Sequence, residues 1–161
     1  MIPIADFKKI LAFQQGIIEE QTDGLTQADT LIQPQPGGNC MNWVLGHLLD
    51  NLVIILESMG GTAPTNLQGL KRYERGSEPV KGQADDVLDI AYLLEGLKTV
   101  HQAVQEKLDL MTEADFSREV PHWDEAAPLG WRVFFLQFHH TYHVGQLELL
   151  RNLAGRTEKI I

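Results

Sequence analysis

Apolar residues recur at threes and fours over four long stretches of the chain, and no stretch alternates convincingly with period two. The first stretch predicts a helix from about Ile4 to Asp23. Phe7, Ile10, Leu11 and Ile18 mark its apolar side, Lys8, Lys9, Glu19 and Glu20 its wet side, and Gly24 suits its stop. The second runs from Cys40 to about Met59, with Asn39 placed as N-cap and Gly60-Gly61 as terminator. Its segment LGHLLDNLVIIL is apolar nearly all round, which predicts burial on every side.

The third stretch, from about Ala84 to Leu108, carries Val87, Ile90, Ala91, Leu94, Leu97, Val100, Val104 and Leu108. Asp85, Asp86 and Asp89 lie near its start and Lys107 near its end, as a helix dipole prefers. The fourth runs from about Pro128 in the first turn to Leu153, with Gly155 as its stop. Between the second and third helices, residues 60–82 hold Gly, Pro and charge without a period. They predict a long crossover with one short helical turn near Leu70 to Tyr73. Thr112 and Asp115 suit the cap of a short turn, and residues 117–128 read as irregular. The expected fold is all-α: a four-helix bundle, one domain over residues 1–161, with a long crossover between helices 2 and 3.

Composition agrees with a packed core: 43% of the 161 residues are apolar. The formal net charge of −9 argues against a phosphate backbone as partner, and no run is long and apolar enough for a membrane span. The single cysteine, Cys40, precludes an intramolecular disulfide and fits a reducing, cytoplasmic setting. No signal peptide is evident at the N-terminus.

The chemistry concentrates in FHHTYHVGQL, residues 138–147, which holds three of the six histidines. His139 and His143 are four apart and His140 and His143 three apart, so either pair can share one helix face. The row Leu136, His139, His143, Leu147, Leu150 places two histidines inside a core-facing stripe, where burial without partners is costly. The second helix offers His47, also in an apolar run. His47, His139 and His143 would make a three-histidine set with a fourth position open, the pattern of catalytic rather than structural zinc sites.

The segments NWVLGHLLD (42–50) and HHTYHVGQLELLRNLAG (139–155) resemble the DinB-like superfamily of metalloenzymes. Members carry a histidine in the second helix in a Trp-x-x-x-His context, here Trp43 and His47. They carry a second pair four apart in the last helix, followed by a residue and then Gly-Gln, here His139 and His143 before Val144, Gly145 and Gln146. This register favours His139 over His140. The resemblance implies one divalent metal ion per chain, nickel or zinc, a homodimer, and in some relatives thiol-dependent transfer with a small thiol cofactor. Two positions depart from the family pattern: Val144, where a basic residue is frequent, and His140, where many relatives have glutamate.

With His140 at that position the segment is not HExxH, so no general base comes with the motif. Glu148 lies off the ligand face, whereas Asn51, four after His47, is placed to hydrogen-bond near the site. His140 reads as a solvent-facing histidine, with an alternative ligand or a residue behind the ligands as the other readings, and His101 reads as a solvent-facing histidine, with a proton shuttle at the bundle centre as the other. Cys40 reads as a small buried apolar residue, and His122 and Trp123 as a loop over a pocket mouth, with Trp131 as another candidate for its lining. The functional expectation is a divalent-metal-dependent enzyme, a thiol-dependent transferase acting on a small-molecule substrate. The alternatives are a non-catalytic, stress-related metal-binding bundle and a plain helical interaction protein.

Overall fold

A computed structural model describes residues 3–160. The element order is α1 (Ile4–Thr22), α2 (Gln27–Thr30), α3 (Met41–Ser58), a 3₁₀ turn (Leu70–Tyr73), α4 (Ile90–Asp109), α5 (Glu113–Phe116), β1 (Glu119–His122), β2 (Glu125–Pro128), α6 (Leu129–Val144) and α7 (Gln146–Leu153). The bundle consists of α1, α3, α4 and the α6–α7 pair. Helix α3 packs on both α4 and α6, and α1 on α4, α6 and α7.

Burial follows the apolar pattern. Leu45, Leu48, Leu49, Leu52 and Ile55 of α3 are sealed from solvent, as are Leu93, Leu97, Val100 and Val104 of α4. Phe7, Leu11 and Ile18 close the core from α1, and Leu129, Val133, Leu147 and Leu150 from α6 and α7. Helix α3 ends where its sequence predicts. The Gly61 amide donates to the Leu56 carbonyl (2.9 Å) and the Gly60 amide to that of Glu57 (2.9 Å), with Gly60 at φ +77°. This is the paired C-terminal closure that glycine permits.

Several boundaries differ from the sequence reading. The N-cap of α3 is Cys40 rather than Asn39, and its side chain makes no capping bond. Its thiol donates instead to the Val80 carbonyl (3.3 Å). Helix α4 starts at Ile90, not Ala84, because the Asp89 carboxylate caps the Ala91 amide (2.8 Å). The fourth helix breaks at Gly145 into α6 and α7, and Pro128 ends β2 immediately before α6. Residues 119–128, expected to be irregular, form an antiparallel hairpin with His122 opposite Glu125. Its turn places Trp123 at φ +53°. A short helix, α2, also precedes α3, capped reciprocally by Thr26 and Asp29.

The crossover, 59–89, is fastened to the start of α3 by several side chains, those of Cys40, Asn42, Trp43 and His47 among them. Tyr73 is fully buried; its hydroxyl donates to Asn42 Oδ1 (3.0 Å) and accepts from the Leu88 amide (2.8 Å). Farther out, Arg72 pairs with Asp86 (3.1 Å) and donates to the carbonyls of Glu78 and Pro79. A segment without periodic sequence is thus held by a buried aromatic ring, by its own arginine and by side chains of the first turn of α3.

Candidate metal centre

The antiparallel run of α3 against α6 brings residues about ninety positions apart into contact. His47, His139 and His143 offer ligand atoms that all lie within 4.8 Å of one another. The ring centroids are 5.1 Å apart for His47 and His139, 4.7 Å for His47 and His143, and 4.6 Å for His139 and His143. Of the pairs left open by spacing, the structure brings together His139 and His143.

Two of the three rings are oriented by their neighbours. The Nδ1–H of His47 donates to the Tyr73 carbonyl (2.7 Å), and that of His143 to Oε1 of Gln146 (2.8 Å). A ring that donates through Nδ1 presents a bare lone pair on Nε2, the atom a metal needs. Trp43 stacks on His47 at 4.7 Å and 22°, and its indole N–H donates to Ser77 Oγ (3.0 Å). His47 Nε2 lies 2.9 Å from His139 Nε2. Without an ion, one proton on His139 can bridge these two atoms; with one, both lone pairs can turn to a shared cation at about 2.0–2.1 Å.

Electrostatics keep the cluster neutral. Burial depresses the pKa of His47, and nearby His143 and Arg75 add to this against the Tyr73 hydrogen bond. Burial, then the neighbouring His143 and His47, bring His139 down to about 4. Burial also lowers His143, with the Gln146 bond opposing it. Uncharged imidazoles are the form that binds metals. The residues therefore fit a divalent ion in donor type, in the orientation of two rings and in protonation.

His140 is not solvent-facing as expected: only 2% of it is exposed. Helix α6 is buried on a wider arc than a single stripe, so a residue one step from the row of His139 and His143 still points inward. Its Nδ1 lies 3.4 Å from Asn51 Nδ2, which also donates to the Leu136 carbonyl (3.1 Å). Burial, reinforced by the surrounding histidines, pushes His140 down to about 3. Asn51 thus ties α3 to α6 behind the site. His101 is half-buried rather than exposed, and its Nε2 lies 3.1 Å from Gln105 Nε2, away from the cluster. Cys40 is buried, as expected.

A cavity of about 700 Å³ opens beside the cluster. Helix α3 lines it with His47, Asp50, Asn51 and Ile54, and α6 with Arg132, Phe135, Leu136 and His139. Both sets follow the i, i+3, i+4, i+7 spacing of one helix face. The hairpin contributes His122 and Trp123, and the crossover Glu74 and Arg75. Trp123 lines the cavity as the sequence suggested; Trp131 does not. His122 is 4% exposed, at a strand end rather than in a loop. Sequence reasoning overlooked Asp50 as a proton-handling group. Burial, with Glu74 and Glu57 nearby, raises its carboxyl to about 6. The available signal was its position one turn after His47.

Fold and cluster together define a helical bundle with a three-histidine site capable of holding a metal. The chain belongs to the DinB superfamily: residues 11–147 match that family. It is similar in fold to a conserved protein from Enterococcus faecalis of known crystal structure. That match has a TM-score of 0.72 and 15% identity, and covers 96% of this chain and 98% of the other. No curated protein sequence matches this chain. Among the described residues, no helix is long and apolar enough to cross a membrane.

Proposed function

We propose that this protein is a divalent-metal-dependent enzyme, with nickel or zinc held by His47, His139 and His143, that transfers a small thiol to an electrophilic small molecule. The observation that carries this reading is the cavity, which reaches two of the three histidines and so leaves a route to an open coordination position. A bound divalent ion would lower the pKa of a thiol and hold it as the nucleophilic thiolate. The chain's own groups would do the rest. The Tyr73 carbonyl and Gln146 fix the ring tautomers of His47 and His143. Trp43 stacks on His47, and Trp123 and Phe135 give the cavity an aromatic wall. The Asp50 carboxyl, poised to gain or lose a proton near neutral pH, faces the same cavity and suits acceptance of the thiol proton.

A homodimer is part of the proposal. Trp131, Phe138, Tyr142, Leu149 and Leu153 are exposed along one stripe of α6 and α7, beside exposed Phe13 of α1. A stripe of large apolar residues on a soluble bundle favours a covered face. A cytoplasmic setting accords with a single, unpaired cysteine.

The test begins with protein purified without a histidine tag or added metal, with bound elements measured by mass spectrometry. About one divalent ion per chain, lost in His47→Ala and His143→Ala, supports the site. No ion, even after reconstitution with nickel or zinc, sinks it. Metal-loaded protein without turnover of thiols with electrophiles would leave the non-catalytic metal-binding reading.

A further inference from the structure

Arg132 is a cation fixed on the cavity wall without a carboxylate. Its Nε donates to Ser58 Oγ (2.9 Å) on α3, and Nη1 to the Pro121 carbonyl (3.1 Å) on the hairpin. Among the described residues, no acidic group lies within ion-pair distance of it. The cavity's acids sit at the other end. Asp50 precedes Ser58 by eight residues of α3, a rise of about 12 Å. A guanidinium has five N–H donors, and these two contacts leave most of them free while holding the planar head still.

The wall beside it is aromatic and carries one more unmet polar group. His122 packs against Trp123 at 4.5 Å and Phe135 at 5.6 Å, and Trp123 meets Phe135 at 4.8 Å. The His122 Nδ1 is buried and has no hydrogen-bond partner within the protein. A buried, unmet ring nitrogen next to a fixed and unpaired guanidinium points to a ligand that brings its own polar end.

Position gives the ligand's length. Arg132 and His139 lie seven residues apart on the same face of α6, so about 10 Å of helix separates clamp from metal ligand. Phe135 and Leu136 fill the interval. We infer that the cavity binds an elongated apolar or aromatic molecule whose reactive end lies at the histidine cluster and whose terminal carboxylate is gripped by Arg132. This inference rests on the proposed reading of the cluster as the reacting end. The carboxylate forms the paired, charge-assisted contact for which a guanidinium is shaped.

The experiment uses cobalt-loaded protein and an ω-mercapto-octanoate, whose chain matches the span, beside its neutral terminal amide. Calorimetry measures affinity, and the thiolate-to-cobalt absorption band reports what the other end does. The acid is expected to bind about tenfold or more tightly than the amide. Arg132→Gln should abolish that preference while leaving the cobalt band in place. Arg132→Lys, which keeps the charge but not the fork, should retain only part of it. A mercaptopropionate and its amide, too short to span the cavity, should not be distinguished. Equal affinities for the long acid and amide in the unsubstituted protein would overturn the clamp, without reference to any variant's folding. So would a preference that survives Arg132→Gln, or one shown equally by the short pair. A clear acid preference with no cobalt band would support the clamp while refuting the metal reading, so the two failures are separable.

Discussion

A Cβ placed on Gly46 would lie 2.2 Å from Cδ1 of Tyr73. The crossover's only fully buried aromatic ring therefore rests directly on the α3 backbone, one residue before His47. The Tyr73 carbonyl is also the group that receives the His47 Nδ1–H. Docking the crossover and orienting a proposed metal ligand are one event.

Gly46→Ala should displace Tyr73 and with it the carbonyl. The expected loss is about 2 kcal/mol or more of stability, the range for overpacking a filled core. Metal affinity should fall in the same variant. Chemical denaturation paired with zinc or nickel titration would show both, and a variant of parental stability with unchanged affinity would refute the coupling.

Tyr73→Phe separates the two roles. It removes the hydroxyl that serves Asn42 and the Leu88 amide but keeps the carbonyl. Stability should drop by about 1–3 kcal/mol, as for a buried group left unpaired. Metal content in folded protein should stay at the parental level, as elemental analysis would establish.

Gln146→Ala should weaken metal binding by about 10- to 100-fold, the usual effect of losing an orienting partner, with little change in fold. Competition against a chromophoric chelator would measure it. The contrasting substitution is His140→Gln. Despite being the neighbour of His139, it should leave stoichiometry unchanged, because His140 bonds Asn51 and lies outside the cluster.

Asp50 gives a pH signature. Its carboxyl is raised to about 6 in the fold by burial, Glu74 and Glu57, against an ordinary value near 3.8. Between these values the folded state holds a proton that the unfolded state has released, so stability falls as pH rises through this window. Asp50→Asn should remove that slope and leave the protein more stable at neutral pH. A gain of about 1 kcal/mol is expected, after discounting for the side chain's partial exposure. Thermal unfolding from pH 4 to 7 would reveal the difference; parallel curves for the two proteins would exclude it.

The four helices and the three histidines were legible because periodicity and spacing are local. His47 and Asn51 on α3, and His139 and His143 on α6, keep to single helix faces that can be counted in the sequence. What escaped depends on contacts between distant segments. Tyr73 sits in a stretch with no period, and its burial rests on a notch at Gly46 that a run of leucines conceals. His140 looked like a surface residue because the width of α6's buried arc is set by what surrounds it. The hairpin strands have four residues each, and their turn holds Trp123 and Asp124 without the Asn-Gly or Gly that usually marks such a turn. The position of Arg132 was countable from His139, but its lack of an acidic partner was not.

The stacking of Trp43 on His47 has a practical consequence. An indole buried 4.7 Å from the ring of a proposed ligand is an optical probe supplied by the protein itself. Trp43 is 5% exposed, whereas Trp123 and Trp131 are 66% and 51% exposed. Its emission should lie to the blue of theirs and resist an aqueous quencher. A paramagnetic ion such as nickel or cobalt arriving beside it should darken this blue component first, so occupancy of the site could be followed in solution without label or substrate.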